Sequence, residues 1–482
     1  MLIIEYILIR KVNKDIINLN LRVRLMESGL PKEERAIQLF SIAHNGNFVL
    51  NKEALDMVRS IKKKIAVVAV AGQYRTGKSY LLNRLIGRQS GFELGSTINP
   101  CTKGLWIWNQ PLTVTDDIQA IFLDTEGLAS VNRNIHLDTK IFAITLLLSS
   151  YFVYNSLNAI DEKALDSLSL VVSLSKYIHV NAHPAQISEE LDEYTQYFPF
   201  FMWVVRDFAL RLVDSSQQAI NDRQYLENVL RPVDPEKYPD PEQAVLKNEI
   251  RGKLSTFFKE RDCVTLVRPV NDEKQLKAVD KIPYESLRPE FRSKIELLVK
   301  KVYFNLKPKA INGQPLTGEM LANLMEQYVS AFNGGMVPAI STAWEQVLLL
   351  EIEKTIIASI EEYKRKLSQL ANERLPLSQE ELAKIDVEAK RAAYRVFYES
   401  GLVNASASQF ADARERMESS FLEIYEKLVT ENYNISYRDA EDFFNQLYNK
   451  IKGQMDQLEV LTFDVISANW RKLREVILPL IL

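Results

Sequence analysis

Residues 71–83, AGQYRTGKSYLLN, restrict what this 482-residue chain can fold into more than any other stretch. The spacing Gly72-x4-Gly77-Lys78-Ser79 follows an apolar run, IAVVAVAG, and precedes a helical one, SYLLNRLIG. A glycine-bearing turn between a buried strand and a helix lets backbone amides converge on an anion, and the helix N-terminus adds a favourable dipole. The pattern predicts a phosphate loop. Lys78 would reach the outer phosphates, the Ser79 hydroxyl would ligate Mg2+, and Tyr74, Thr76 and Tyr80 would flank the nucleotide. Arg75 is the unexplained residue, a second cation inside a turn built for amides.

The run QAIFLDTEG (119–127) predicts a second strand. Asp124 closes it, where an aspartate holds magnesium through water, and the Gly127 amide would face the outermost phosphate. Between the two motifs lies GSTINPCTKGLWIW, whose Thr102 is the candidate loop threonine closing on magnesium and the γ-phosphate. No NKxD follows these motifs. Arg206-Asp207 instead ends the strand FFMWVVRD (200–207). A carboxylate there can accept hydrogen bonds from N1 and N2 of guanine, which adenine cannot donate, and leaving it unpaired discriminates against the wrong base. Taken alone, an Arg-Asp pair at a strand end reads first as a surface ion pair.

With CVTLVRPV (263–270) as a further strand and helical stretches such as SYLLNRLIG and 139–157 between strands, β and α elements alternate to about residue 305. Alternation of this kind predicts a three-layer α/β domain with a mostly parallel sheet. Residues 214–248, rich in Asp, Pro, Gln and Glu, are expected to form an insertion over the nucleotide side. After 307–318 strand-like runs vanish. Trp344, Val347, Leu348, Ile352, Ile356, Ile360 and Tyr363 recur at helical spacing, as do Phe444, Leu447, Ile451, Met455 and Leu458. Both stripes are expected to form bundle core. Breaks fall at Asn333-Gly334-Gly335, at Leu375-Pro376 and at Gly401, and Ser378 with Glu381 fits a capping box. The expected domains are an N-terminal extension (1–30), an α/β domain (31–308) and an elongated bundle of about five helices (309–482).

The net charge of -3 disfavours nucleic acid as the main partner. Two cysteines imply no disulfide framework and a reducing compartment, so a cytoplasmic location is expected. Four histidines and those cysteines show no metal-ligand spacing. No apolar run reaches the length of a membrane span. The opening MLIIEYILIRKVNK is expected to be a frayed extension or a first strand, with a membrane-surface anchor as the lesser reading and Met26 as an alternative start. The terminal ILPLIL has no cysteine for prenylation. Lys62-Lys63-Lys64 is expected to be a solvated helix end.

AGQYRTGKSYLLN, STINPCTKGLWIW, FLDTEGL and WVVRDF together resemble the guanylate-binding proteins, large dynamin-like GTPases, and the likeness runs over residues 35–480, more weakly in the helical part. The resemblance implies GTP and Mg2+ as ligands, with Arg206 and Asp207 as the guanine motif replacing NKxD. Leu128 stands where small GTPases place a water-orienting glutamine, so another group must offset developing phosphate charge. An arginine supplied in cis is worth about three orders of magnitude. The resemblance implies that Arg75 is such an internal finger, directed inward when two GTPase domains pair as a homodimer. It implies that Glu126 orders the catalytic water, and that the helical part passes the nucleotide state to self-assembly or protein partners. Pro100 departs from the family, whose well-studied members carry serine there, and leaves efficient hydrolysis in doubt. Cys101 is expected to be a packing residue and His136 a surface one. Rival readings are a nucleotide-gated scaffold with little turnover, an atlastin-like membrane tether lacking its span, and a phosphate-loop ATPase. Peripheral membrane contact is left open.

Overall fold

The computed structural model describes residues 34–94, 104–125, 127, 135–168, 178, 197–214, 216–238, 240–371, 374–400, 405–455, 471 and 475. The expected N-terminal extension, Pro100, Cys101, Thr102, Glu126 and Leu128 lie outside them, as does the side chain of His136. Contacts divide the chain into two compact units, Met1–Val347 and Leu348–Leu482.

The first unit is built on one nine-stranded sheet. Its strands are β1 (Ala36–Ile42), β2 (Phe48–Leu50), β3 (Lys64–Gly72), β4 (Leu105–Trp108), β5 (Leu112–Thr115), β6 (Ile118–Thr125), β7 (Tyr151–Leu157), β8 (Phe200–Arg206) and β9 (Arg261–Leu266). The order is β2-β1-β4-β6-β3-β7-β8-β9, with β5 paired to β6. From β6 to β9 every neighbour is parallel, while β1, β2, β4 and β5 pair antiparallel. Parallel pairing brings the C-terminal ends of β6, β3, β7 and β8 to one edge, the place where open α/β sheets bind ligands.

Both faces of the sheet are covered, as β3 shows. Ala66, Val68 and Val70 share a core with Leu81, Leu82 and Leu85 of helix α2 (Lys78–Leu85), which follows α1 (Lys52–Ser60) in the chain, and with Phe291, Ile295 and Leu298 of a helix at Pro289–Asn305. Ile65, Val67 and Ala69 alternate to the other face and are equally buried. The helices Ile135–Leu148 and Gly318–Asn333, which add nothing to the first cluster, also pack on β3. This is the expected three-layer arrangement.

One expected helix is corrected. Residues 139–157 divide into the end of the helix Ile135–Leu148 and the strand β7, which lies between β3 and β8 in the middle of the sheet. All of Tyr151–Ser156 is buried, so no alternation marks it as a strand. The division falls at Ser149-Ser150, where Ser150 N–H reaches Val67 O at 2.9 Å and opens the pairing with β3. The aromatic and β-branched run that follows favours the pleated surface.

Among the described residues beyond 310, helices occupy Gly318–Asn333, Ile340–Ala371, Gln379–Glu399 and Ala407–Met455. The expected capping box is present: Ser378 Oγ accepts from Glu381 N–H while Glu381 Oε2 accepts from Ser378 N–H. Within the second unit the Tyr363 hydroxyl donates to Asp386 Oδ1 at 2.6 Å, and its ring packs 4.4 Å from that of Phe421. The first apolar stripe is core, with Trp344, Val347, Leu348, Ile352, Ile356 and Tyr363 buried. The second differs. Phe444 is 40% exposed, Leu447 and Ile451 are half-buried, and the Met455 side chain and Leu458 lie outside the described residues. A 49-residue helix runs for about 73 Å at 1.5 Å per residue, far longer than the 21-residue helix Gln379–Glu399 beside it in sequence. No described helix is long and apolar enough to cross a membrane.

Candidate nucleotide site

At the C-terminal edge of the sheet, β3 ends at Gly72, which pairs in register with Asn155 of β7. The chain then turns through Gln73 to Gly77 and enters α2. The turn is tied internally: the Gln73 carbonyl accepts from Thr76 Oγ1 at 2.9 Å and from Lys78 Nζ at 3.1 Å. Arg75 sits in the left-handed region at φ 65, which side chains rarely adopt. Its guanidinium is exposed and lies 5.2 Å over the Tyr74 ring.

Two carbonyls of the turn face the protein. The Thr76 oxygen accepts from Asn155 Nδ2 at 2.7 Å and from Arg206 Nη1 at 3.1 Å, and the Gly77 oxygen also accepts from Arg206 Nη1 at 3.1 Å. A trans peptide points its C=O and the following N–H in opposite directions. Holding these two oxygens therefore turns the amides of Gly77 and Lys78 the other way, as an anion cradle requires. Arg206, buried at the end of β8, does most of this work. Burial pulls its pKa below the ordinary arginine value, and the neighbouring Asp207 opposes that pull.

Ser79, one residue into α2, donates from Oγ to Asp124 Oδ2 at 2.6 Å. Asp124 is 1% exposed at the end of β6, held there by pairing with Val70 of β3. Gly127, two residues beyond β6, backs onto the phosphate turn, since a β-carbon there would lie 2.4 Å from Cα of Tyr74. Asp207 leaves β8 at φ 56, and its carboxylate accepts from Arg268 Nε at 3.2 Å. The structure thus gathers Gly72 to Tyr80, Asp124, Gly127, Arg206 and Asp207 at one edge. Thr102 and Glu126 lie outside the described residues.

Two residues here escaped sequence reasoning. Asn155 was hidden by the helical reading of 139–157, although one amide closing an apolar β-rich run was the available signal. Arg268 stood in the quoted strand without a role, and only its contact with Asp207 supplies one.

The described site fits a magnesium-bound nucleoside phosphate. Ser79 and Asp124 offer hard oxygen donors within hydrogen-bonding distance of each other, and turned amides lie at a helix N-terminus.

Comparison with known proteins agrees. The family description "Guanylate-binding protein, N-terminal domain" matches residues 45–310, and "Guanylate-binding protein, C-terminal domain" matches 312–461. Guanylate-binding protein 4 of Homo sapiens is 34% identical over 400 residues, covering 81% of this chain and 60% of that protein. Guanylate-binding protein 6 of Homo sapiens is 31% identical over 450 residues, covering 91% and 68%. This chain therefore spans only part of the length of such relatives. Toc33 of Arabidopsis thaliana, solved with Mg2+ and GMPPNP, aligns at a TM-score of 0.26 and 14% identity over 50% of this chain and 85% of that one.

Proposed function

Because the chain belongs to the guanylate-binding protein family, we propose that it binds GTP with magnesium at the C-terminal sheet edge and hydrolyses the γ-phosphate. The observation that carries this reading is the 2.6 Å hydrogen bond from Ser79 Oγ to Asp124 Oδ2, joining the two motifs that phosphate-loop GTPases use for metal. Ser79, Asp124 and Thr102 would hold the ion, which would neutralise charge on the outer phosphates.

The chain's own residues do the rest. The amides of Gly77 and Lys78 and the Lys78 ammonium bind the phosphates, with Tyr74 and Thr76 around them. Asp207 accepts from N1 and N2 of guanine, and adenine leaves that carboxylate unpaired. Water attacks the γ-phosphorus as its bond to the bridging oxygen breaks; GDP leaves with the charge that grows on that oxygen, and the water's proton passes to the released phosphate. Arg75 would turn toward this charge; its side chain is exposed and its backbone is already seated in the turn. Two such domains meeting face to face as a homodimer would drive it inward, with Glu126 ordering the water. Residues 31–308 form the GTPase domain in this reading, and 309–482 carry the nucleotide state to partners or to self-assembly.

The test is GTP turnover per site across a range of protein concentrations, with GDP and GMP resolved as products. Turnover that climbs with concentration is the expected result. Negligible turnover at every concentration leaves a nucleotide-gated scaffold instead, and ATP bound as tightly as GTP removes the role given to Asp207.

A further inference from the structure

Arg84 is wholly buried on α2, and none of its three guanidinium nitrogens has a hydrogen-bond partner among the described residues. A buried charge without a partner is normally selected against or neutralised, and arginine stays charged. What faces it is aromatic. Its Cζ lies 4.9 Å from the centroid of the Tyr80 ring and 5.8 Å from that of Tyr284. Ring faces carry negative potential, and their attraction for a guanidinium grows when water is excluded.

The Tyr80 ring carries a second cation. Cζ of Arg206 lies 5.6 Å from its centroid, and Arg206 is the side chain that holds the Thr76 and Gly77 carbonyls. Tyr80 is 3% exposed, and its hydroxyl has no hydrogen-bond partner among the described residues. The ring, not the hydroxyl, is therefore the working part. Tyr284 is secured separately, its hydroxyl donating to Glu296 Oε1 at 3.1 Å. A continuous stack runs from Glu296 through Tyr284, Arg84 and Tyr80 to Arg206 and the phosphate turn.

We propose that Tyr80 is a positioning residue for phosphate binding: its ring, fixed by Arg84, seats Arg206 against two turn carbonyls and so aims the Gly77 and Lys78 amides at the nucleotide's outer phosphates. This rests on the guanine-nucleotide reading above. It makes the ratio of GDP to GMP affinity, rather than base recognition, the quantity Tyr80 controls. A residue that merely stabilised the fold would lower the melting temperature without changing that ratio.

The experiment is calorimetric titration of the full chain with GDP and with GMP, each with magnesium, for the wild type, Tyr80→Phe and Tyr80→Leu. Phenylalanine keeps the ring and is expected to stay within about twofold of the wild type for both nucleotides, whereas leucine is expected to weaken GDP about tenfold and GMP far less. Wild-type GDP affinity in Tyr80→Leu, an equal loss for GDP and GMP, or a phenylalanine variant as weak as the leucine one overturns the proposal. If the leucine variant does not fold, Tyr80→Met fills the space flexibly and takes the same readout. A wild type that binds neither GMP nor GDP overturns the guanine-nucleotide reading and this proposal together.

Discussion

A β-carbon on Gly77 would stand 2.0 Å from Nη1 of Arg206. The two residues are 129 positions apart, yet the glycine is bare because the arginine passes there to reach the carbonyls of Thr76 and Gly77. Gly77 also holds φ 75 at the start of α2. Gly77→Ala therefore meets both a clash and a conformation that L side chains resist. Displaced Arg206 would release the turn, and GDP affinity is expected to fall by at least about tenfold, read by fluorescent-nucleotide titration.

Asp207 is expected to decide the base. Asp207→Asn exchanges one acceptor oxygen for a donor, so guanine loses an acceptor for its N1 and N2 protons while a base with a carbonyl in place of the N2 amine gains a partner. GTP should bind roughly a hundredfold more weakly and XTP more tightly than in the wild type, measured by competition. Unchanged preference for GTP would place base recognition elsewhere.

Arg75 is exposed in the turn at φ 65, with its guanidinium 5.2 Å over the Tyr74 ring. Arg75→Ala is expected to leave GDP binding within a fewfold of the wild type and to lower GTP turnover by about a thousandfold. Single-turnover hydrolysis beside equilibrium binding separates the two effects. Parallel loss of binding and turnover would make Arg75 a ground-state contact.

Lys309 carries a pH signature remote from the nucleotide. It is 4% exposed, and Nζ donates to the carbonyls of Ser149 and Tyr197, each at 3.0 Å. Lys259, Glu260 and Lys307 line the same 330 Å³ cavity. Burial lowers the Lys309 pKa from 10.5 to about 7. Between those values the unfolded chain holds a proton that the folded one has released, so stability rises with pH through that window and the penalty is greatest below it. Relative to Lys309→Met, the wild type should gain up to about 1.4 kcal/mol per pH unit between about pH 7 and 9, followed by denaturant unfolding.

Legibility in the sequence followed the range over which each feature is encoded. The phosphate turn lies within eight consecutive positions of the glycine-lysine-serine pattern, and the Ser378 capping box spans four residues; both were read as found. Strands β3, β6 and β8 were visible because their apolar runs are short and bounded. The core stripe on Ile340–Ala371 was visible because one helix face is buried. Strand β7 was not, since burial on both faces erases the alternation that separates strand from helix. The exposure of Phe444 was equally hidden, because periodicity marks an apolar face without saying what covers it.

By itself the sequence determined the local parts: a glycine-lysine-serine turn, acids closing two strands and an arginine inside the turn. Only the tertiary structure decided how that turn is held. Asn155, Arg206 and the Tyr80–Arg84–Tyr284 stack come from strands and helices far apart in the chain, and their contacts depend on parallel strands ending at a common edge. A local pattern records which backbone a segment prefers. The direction in which a turn's amides point is settled by side chains that reach it through space.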